Sequence, residues 1–151
     1  MSGVAGSPHY LGNDLMAADF TLPDRDGKPW RLSEHRGKVI VMNFWSVTCR
    51  PCLREMPTIE RLAAFAKGWG DTEVIAVSTD ENWEVVRPVI GDNSNIVHLF
   101  DSTRSIVTDT YGTKLYPETW IIDKQGVVRL RFDGALDWAS AVALDLISAY
   151  R

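Results

Sequence analysis

Only two cysteines and three histidines occur in the 151 residues of this chain. Two cysteines exclude a scaffold of several disulfides, and a chain of this length does not need one to build a core. A structural zinc site needs two more cysteine or histidine ligands, but His9, His35 and His98 form no pair with the usual spacing. We therefore expect no metal site.

Long apolar runs and basic runs are also missing. No stretch approaches the ~20 apolar residues of a membrane span, and the formal net charge is −4. We expect no nucleic-acid partner and no stable membrane contact from this chain. The first residues lack the basic and apolar segments of a signal peptide. We expect a periplasmic or other extracytoplasmic compartment if a leader or anchor is absent from the chain as given. Otherwise we expect a cytoplasmic compartment.

The pattern along the chain predicts one α/β domain at residues 18–151, preceded by a flexible segment at 1–17 that is small, polar and aperiodic. The predicted order is a β-hairpin around the turn at 24–27, then β-α-β-α-β-α-β-β-α. The predicted strands cover 38–45, 73–78, 96–100, 119–123 and 127–132, and the predicted helices cover 51–67, 83–90, 105–111 and 136–150.

The two cysteines, Cys49 and Cys52, form a CxxC motif between a buried strand and a helix. The free N–H groups and the dipole of a helix N-terminus favour a thiolate over a thiol at Cys49, and the thiolate is the nucleophile. Arg50 adds a cation that should lower the pKa of Cys49, and Pro51 is tolerated in the first turn. The context favours a redox couple over two inert thiols.

Three blocks of sequence resemble one family. FWSVTCRPCLREMP (44–57) looks like the active-site segment of the thioredoxin superfamily, with Pro57 at the place of the family's helix-kinking proline. DFTLPDRDGKPWRLSEHRGKVIVMNFW (19–45) and YPETWIIDKQGVV (116–128) resemble blocks of its TlpA-like thiol–disulfide oxidoreductases. The resemblance covers about residues 18–148. It implies a thioredoxin-like fold, with a central mixed β-sheet flanked by helices and an N-terminal β-hairpin extension.

The resemblance also implies a substrate-binding surface. Pro117 aligns with the superfamily's cis-proline, which lies beside the CxxC motif. Tyr116, just before it, would offer its backbone to an extended substrate strand. Trp45 would complete an apolar floor for that peptide. Without the resemblance, Pro117 would read as an ordinary turn residue.

An acidic residue near the buried cysteine is a further implication. Glu81 aligns with a carboxylate that lies near that cysteine in TlpA-like relatives, and it would take the proton from Cys52. Asp80 is the alternate if the register is off by one. A solvated carboxylate at a helix start is an equally good interpretation of Glu81.

The implied activity is thiol–disulfide exchange through a redox-active Cys49–Cys52 disulfide, without a bound cofactor. The expected partners are disulfide-containing or dithiol proteins and an electron-donor protein, and the chain is expected to be a monomer that reduces its partners. The departures from the family, Thr48 before the first cysteine and the pair Arg50-Pro51, affect the partner and the potential rather than the mechanism.

Two alternatives remain. A peroxiredoxin-like thiol peroxidase would carry Ser or Thr three residues before its cysteine, as Ser46 does, but also a proline where this chain has Met42. A copper-binding carrier of the same fold would use Cys49, Cys52 and His98, since soft thiolates select Cu(I). Copper carriers of this fold, however, normally have three residues between the cysteines.

Overall fold

Seven strands and three α-helices make up the part of the chain that the structure, a computed structural model, describes, residues 16–151. The strands are β1 (Thr21–Pro23), β2 (Pro29–Arg31), β3 (Val39–Trp45), β4 (Thr72–Ser78), β5 (Val97–Phe100), β6 (Glu118–Ile122) and β7 (Val128–Asp133). The helices are α1 (Arg50–Trp69), α2 (Trp83–Ile90) and α3 (Ala141–Ser148). A 3-10 turn covers Leu32–His35 and a π-helical turn covers Ser105–Thr110.

Five of the strands form a mixed sheet in the order β5-β4-β3-β6-β7. The β5, β4 and β3 strands are parallel, whereas β6 and β7 run antiparallel to their neighbours. Separately, β1 and β2 pair as an antiparallel hairpin. The predicted mixed sheet and N-terminal hairpin are therefore confirmed. In the central pairing Phe44 lies opposite Glu118, so the end of β3 and the start of β6 share one edge of the sheet.

The central strand β3 is buried on both faces, as its apolar sequence predicts. One face packs with α1 and α3, and the other with the hairpin and the π-helical turn. Alternate β3 residues divide between the two cores: Val39, Val41 and Trp45 on the first, Ile40, Met42 and Phe44 on the second.

The helix α1 follows β3 after a short loop and carries the CxxC motif. Its buried side chains recur at intervals of three and four residues, which is the stripe that packs on the sheet. At its C-terminal end Gly70 takes a left-handed conformation with φ 80° and donates its N–H to the carbonyl of Ala66 at 3.1 Å. The helix therefore runs longer than the predicted 51–67, and Pro57 lies inside it.

The last helix begins later than predicted. The pattern predicted 136–150, but α3 begins at Ala141, because the Ser140 side chain caps it by accepting the Ala143 N–H at 3.2 Å. Residues 136–139 instead form a loop over α1. Val142, predicted to face the sheet, is 72% exposed.

The predicted flexible segment, 1–17, lies almost wholly outside the described residues. Met16 and Ala17 are described, and they lie against the β6–β7 turn. Met16 forms a β-bridge with Val127, and Ala17 donates its N–H to the carbonyl of Gly126 at 2.9 Å. The ordered domain therefore includes these two residues.

Candidate active site

The two cysteines lie where α1 begins, beyond the carboxyl end of β3. Cys49 is the N-cap of α1, and its Sγ accepts the backbone N–H of Cys52 at 3.2 Å. The two are joined in a disulfide with their Cα atoms 5.3 Å apart. Cys52 is fully buried and Cys49 is half-buried, so the first sulfur is the one a partner can reach. The sulfur of Cys49 is therefore the outer one and that of Cys52 the inner one, and their roles in exchange stay a prediction.

The residues between the cysteines take different surroundings. Arg50, the residue after Cys49, is exposed to solvent. Pro51 occupies the first turn of α1, where a backbone N–H has no helical partner to lose.

The loop before β6 contains the proline that the sequence singled out. The Tyr116–Pro117 peptide bond is cis, and the Pro117 carbonyl accepts the N–H of Gly134 at 2.9 Å. Because Phe44 pairs with Glu118, Pro117 lies next to the end of β3 and hence next to the loop that carries Cys49. A surface groove of about 480 Å³ opens here, lined in part by Leu115, Tyr116 and Pro117.

Trp45 does not form the surface floor that was predicted for it. Its side chain is fully buried, within the same core cluster as Cys52. It therefore supports the site from below and is not available to an external peptide. The exposed apolar residue beside Pro117 is Leu115, which is 85% exposed.

The loop between β3 and Cys49 is held by Asp80. One carboxylate oxygen accepts the Val47 N–H at 3.1 Å, and the other accepts the Ser46 hydroxyl at 3.1 Å. The Ser78 hydroxyl donates to the same carboxylate at 2.8 Å. Ser46 in turn bonds the hydroxyl of Thr48 at 3.0 Å. The Asp80 carboxylate therefore positions the loop by accepting hydrogen bonds from uncharged donors.

Glu81 lies at the surface. Its side chain is exposed, on the segment between β4 and α2, where it lines a shallow pocket with Trp83 and Phe100. Cys52, by contrast, is fully buried beneath α1. The structure therefore does not give Glu81 the buried position that a proton acceptor for Cys52 needs, and it favours the solvated interpretation.

A buried carboxylate does lie one helical turn beyond Cys52, at Glu55. Its side chain is 2% exposed. Oε1 accepts the Asn43 amide N–H at 3.1 Å, and Oε2 accepts the Leu136 backbone N–H at 2.9 Å and the Trp138 indole N–H at 2.8 Å. Burial raises the pKa of Glu55 above its ordinary value, although these three donors oppose the shift.

The sequence carried a signal for Glu55 that the motif analysis missed. Residues three and four apart lie on one helix face, so a residue between Cys52 and Ile59 at these steps belongs to the buried stripe. Glu55 stands at that position, three after Cys52 and four before Ile59. A charged residue on the buried face of a helix is a functional candidate.

A family model confirms the resemblance. Residues 14–131 match the model of the AhpC/TSA family. The chain belongs to the AhpC/TSA family. It is 35% identical over 123 residues to the thiol-disulfide oxidoreductase ResA of Geobacillus thermodenitrificans, a match that covers 80% of this chain and 68% of that protein.

Solved structures agree with these matches. The candidate thiol:disulfide interchange protein DsbE from Chlorobium tepidum superposes with a TM-score of 0.78 at 26% identity, covering 90% of this chain and 96% of that one. The exposed lipoprotein thioredoxin Etrx1 from Streptococcus pneumoniae superposes with a TM-score of 0.73 at 28% identity, covering 87% and 99%. The fold is therefore thioredoxin-like.

Together these findings show that the chain is a thiol–disulfide oxidoreductase of the TlpA-like branch. The Cys49–Cys52 disulfide and the relatives' names favour exchange over the peroxidase and copper-carrier alternatives. His98 lies buried on β5, bonded to Ser94. Among residues 16–151 no cluster of three His, Cys, Asp or Glu side chains is placed to hold a metal ion. Within the same range, no helix combines the length and the apolar character needed to span a membrane.

Proposed function

We propose that this oxidoreductase reduces disulfides in partner proteins, with Cys49 as the attacking sulfur. The observation that carries the proposal is the hydrogen bond from the Cys52 N–H to the Cys49 Sγ at the start of α1. A donor aimed at that sulfur, at the positive end of a helix, stabilises the thiolate that exchange requires. The exposed Arg50 adds a second stabilising charge.

The exchange proceeds in two displacements. The Cys49 thiolate attacks one sulfur of the partner's disulfide, forming a mixed disulfide and releasing the other partner sulfur as a thiolate. Cys52 then loses its proton and attacks the Cys49 sulfur, which releases the second partner sulfur as a thiolate. Two electrons pass to the partner, whose thiolates take up protons, and the Cys49–Cys52 disulfide forms.

We assign Glu55 as the acceptor of the proton that Cys52 loses. Both side chains are buried, and a carboxylate with a raised pKa is a stronger base than an exposed one. The carboxylate lies three residues after the cysteine on one helix face. Glu81, the residue implied by the family resemblance, lacks this burial.

The partner's chain is proposed to lie along the groove at Tyr116 and Pro117. The exposed Leu115 offers an apolar contact there, and the backbone of Tyr116 offers β-type hydrogen bonds to an extended segment. A dithiol protein must return the disulfide to the reduced state, since each cycle oxidises the pair. We propose that the chain works as a monomer.

The direction and the compartment are proposed from the relatives. The name of Etrx1 describes an exposed lipoprotein, which supports an extracytoplasmic site for this chain. Reduction is the useful direction in an oxidising compartment. Stabilisation of the Cys49 thiolate by Arg50 opposes this direction, because it makes the disulfide more oxidising. A measured potential near the strongly oxidising end of the family's range would reverse the assigned direction.

Trapping tests the function directly. In a Cys52→Ala variant the mixed disulfide at Cys49 cannot be resolved, so partner proteins should remain attached and be released by a reductant. A Cys49→Ala variant is the matched control and should retain none. Equal retention by both variants would contradict the assignment of Cys49 as the attacking sulfur.

The proton acceptor is tested by the rate at which a preformed Cys49–peptide mixed disulfide is resolved. We expect Glu55→Gln to slow resolution near neutral pH by roughly 10²-fold, as for loss of a general base. Glu81→Gln should leave the rate close to that of the unsubstituted protein. If Glu81→Gln slows resolution and Glu55→Gln does not, Glu81 is the acceptor.

A further inference from the structure

Asn43 joins the buried carboxylate to the sheet. It lies on β3 and is 1% exposed. Its Nδ2 donates to Glu55 Oε1 at 3.1 Å and to Thr119 Oγ1 at 2.9 Å, so it connects α1 with β6. Its Oδ1 is buried and has no hydrogen-bond partner among the described residues. Only the donor end of this amide is used.

The three groups that bond Glu55 suit its ionised form. The backbone N–H of Leu136 and the indole N–H of Trp138 can only donate, and Asn43 also donates. A protonated carboxyl would need an acceptor for its own O–H. Asn43 differs from the other two partners, because its amide carries an acceptor, the unused Oδ1, at its other end.

We propose that Asn43 is a positioning residue whose amide turns over when Glu55 changes protonation state. With Glu55 ionised, Nδ2 donates to Oε1. When Glu55 receives the proton of Cys52, a half-turn of the amide brings Oδ1 to accept the new Glu55 O–H. The half-turn exchanges oxygen and nitrogen with little change of shape. This inference rests on the proposed function of Glu55.

Thr119 can bond the Asn43 amide in either orientation. Its hydroxyl can accept from Nδ2 in one state and donate to Oδ1 in the other, so the contact with β6 persists. The bonds from Leu136 and Trp138 go to the second oxygen, Oε2, and are the same in both states. The partners of Glu55 on β3 and in the loop before α3 are uncharged, and the titratable group on its own helix face is Cys52.

The experiment uses nuclear magnetic resonance on the oxidised protein, which holds Cys52 in the disulfide and needs no exchange activity. The Glu55 carboxyl carbon is followed through its titration. Overhauser contacts between the Asn43 Nδ2 protons and the Thr119 side chain are measured above and below the midpoint. We expect these contacts above the midpoint and their loss below it. Their persistence at both pH values would overturn the turning amide.

Two substitutions supply a second readout that does not depend on the contacts. Asn43→Leu removes one hydrogen bond from each protonation state of Glu55, so its titration midpoint should move by less than half a pH unit. Asn43→Asp replaces the amide by a carboxyl that, when ionised, offers acceptors only and adds a negative charge beside Glu55, so the midpoint should rise by at least one pH unit. A rise of one unit or more in both variants would instead indicate a fixed donor and would overturn the proposal. Failure of Cys52→Ala to trap partners would contradict the exchange function but would not change the Glu55 titrations.

Discussion

Trp138 donates its indole N–H to Oε2 of Glu55 at 2.8 Å, although 83 positions of sequence separate the two residues. The contact joins the loop before α3 to the helix that carries the cysteines. The adjacent Leu136 N–H bonds the same oxygen at 2.9 Å. The loop therefore supplies two hydrogen-bond donors to the buried carboxylate. These tertiary hydrogen bonds hold the segment in a non-helical conformation.

Loss of the indole donor should destabilise the protein more at high pH than at low pH. Trp138→Phe keeps the ring packed against Phe132 but removes one hydrogen bond to a charged group, worth about 1–3 kcal/mol. The ionised form of Glu55 loses most, so its pKa rises further and the deficit grows as pH rises. Urea denaturation at pH 4 and pH 8 measures it.

The control for this prediction is Trp69→Phe. Trp69 is half-buried and lies under the Arg151 guanidinium, 4.3 Å from the ring centroid, far from the cysteine pair in the helix. Its loss of stability should be similar at both pH values. An equal loss at pH 4 and pH 8 for Trp138→Phe would show that the indole does not act through the charge of Glu55.

The sequence predicted the order of the elements and, except for the start of the last helix, their bounds to within two residues, because strand burial and helix periodicity are local patterns. It predicted Cys49 and Cys52 as a pair for the same reason. It placed Pro117 only through the family resemblance, and it missed Glu55. That residue acquires its surroundings from Asn43, Leu136 and Trp138, which distant segments bring to it. The helical spacing from Cys52 and Ile59 indicated that Glu55 is buried, but its hydrogen-bond partners come from distant segments and leave no short-range signal.

The predicted helix at 136–150 failed for a related reason. Apolar residues in that segment fit a helical period, yet tertiary hydrogen bonds hold the first part as a loop. Leu136 and Trp138 both donate backbone N–H groups to side chains of α1, to Glu55 and to Thr58 respectively. The cap at Ser140 was a readable signal for the later start.

Removing the Asp80 carboxylate should loosen the loop that carries Cys49. Asp80→Ala leaves the partly buried Val47 N–H and the Ser46 hydroxyl without their acceptor, which costs about 1–3 kcal/mol of unfolding free energy. Amide hydrogen exchange at Val47 should accelerate more than exchange in the strands. Glu81→Ala removes a neighbouring exposed carboxylate and should change neither quantity. Unaltered protection of Val47 in the Asp80 variant would contradict the positioning role.

Protonation of His98 should weaken the fold on acidification. Burial, with a smaller effect of Arg25, lowers the pKa of His98 from 6.5 to about 4. The unfolded chain then binds this proton near pH 6.5 while the folded protein resists it, so stability from this group is present above pH 6.5 and is lost as pH falls toward 4. His98→Gln should lack this component. We would compare urea midpoints of the two proteins from pH 7 to pH 4.5. Curves that stay parallel would show that His98 titrates alike in both states.

Glu118 should have the opposite pH dependence. It is 7% exposed and follows Pro117, where Thr113 donates its hydroxyl to it and Asp133 lies opposite on β7. Burial first, and then Asp133, raise the pKa of Glu118 from 4.5 to about 7. The folded protein therefore holds this proton between those values when the unfolded chain has released it. Stability from Glu118 is full below pH 4.5 and is lost as pH rises toward 7.

The substitution Glu118→Gln checks this dependence, since the amide oxygen can still accept from Thr113 and the group no longer titrates. Relative to this variant, the unsubstituted protein should lose stability between pH 4.5 and pH 7, as measured by urea denaturation at several pH values. Asp133→Asn removes the opposing carboxylate, so it should lower the pKa of Glu118 and move the loss of stability to lower pH. An unchanged pH range in this variant would show that the two carboxyls do not interact. A pH-independent difference between the Gln variant and the unsubstituted protein would mean that Glu118 ionises normally beside the groove.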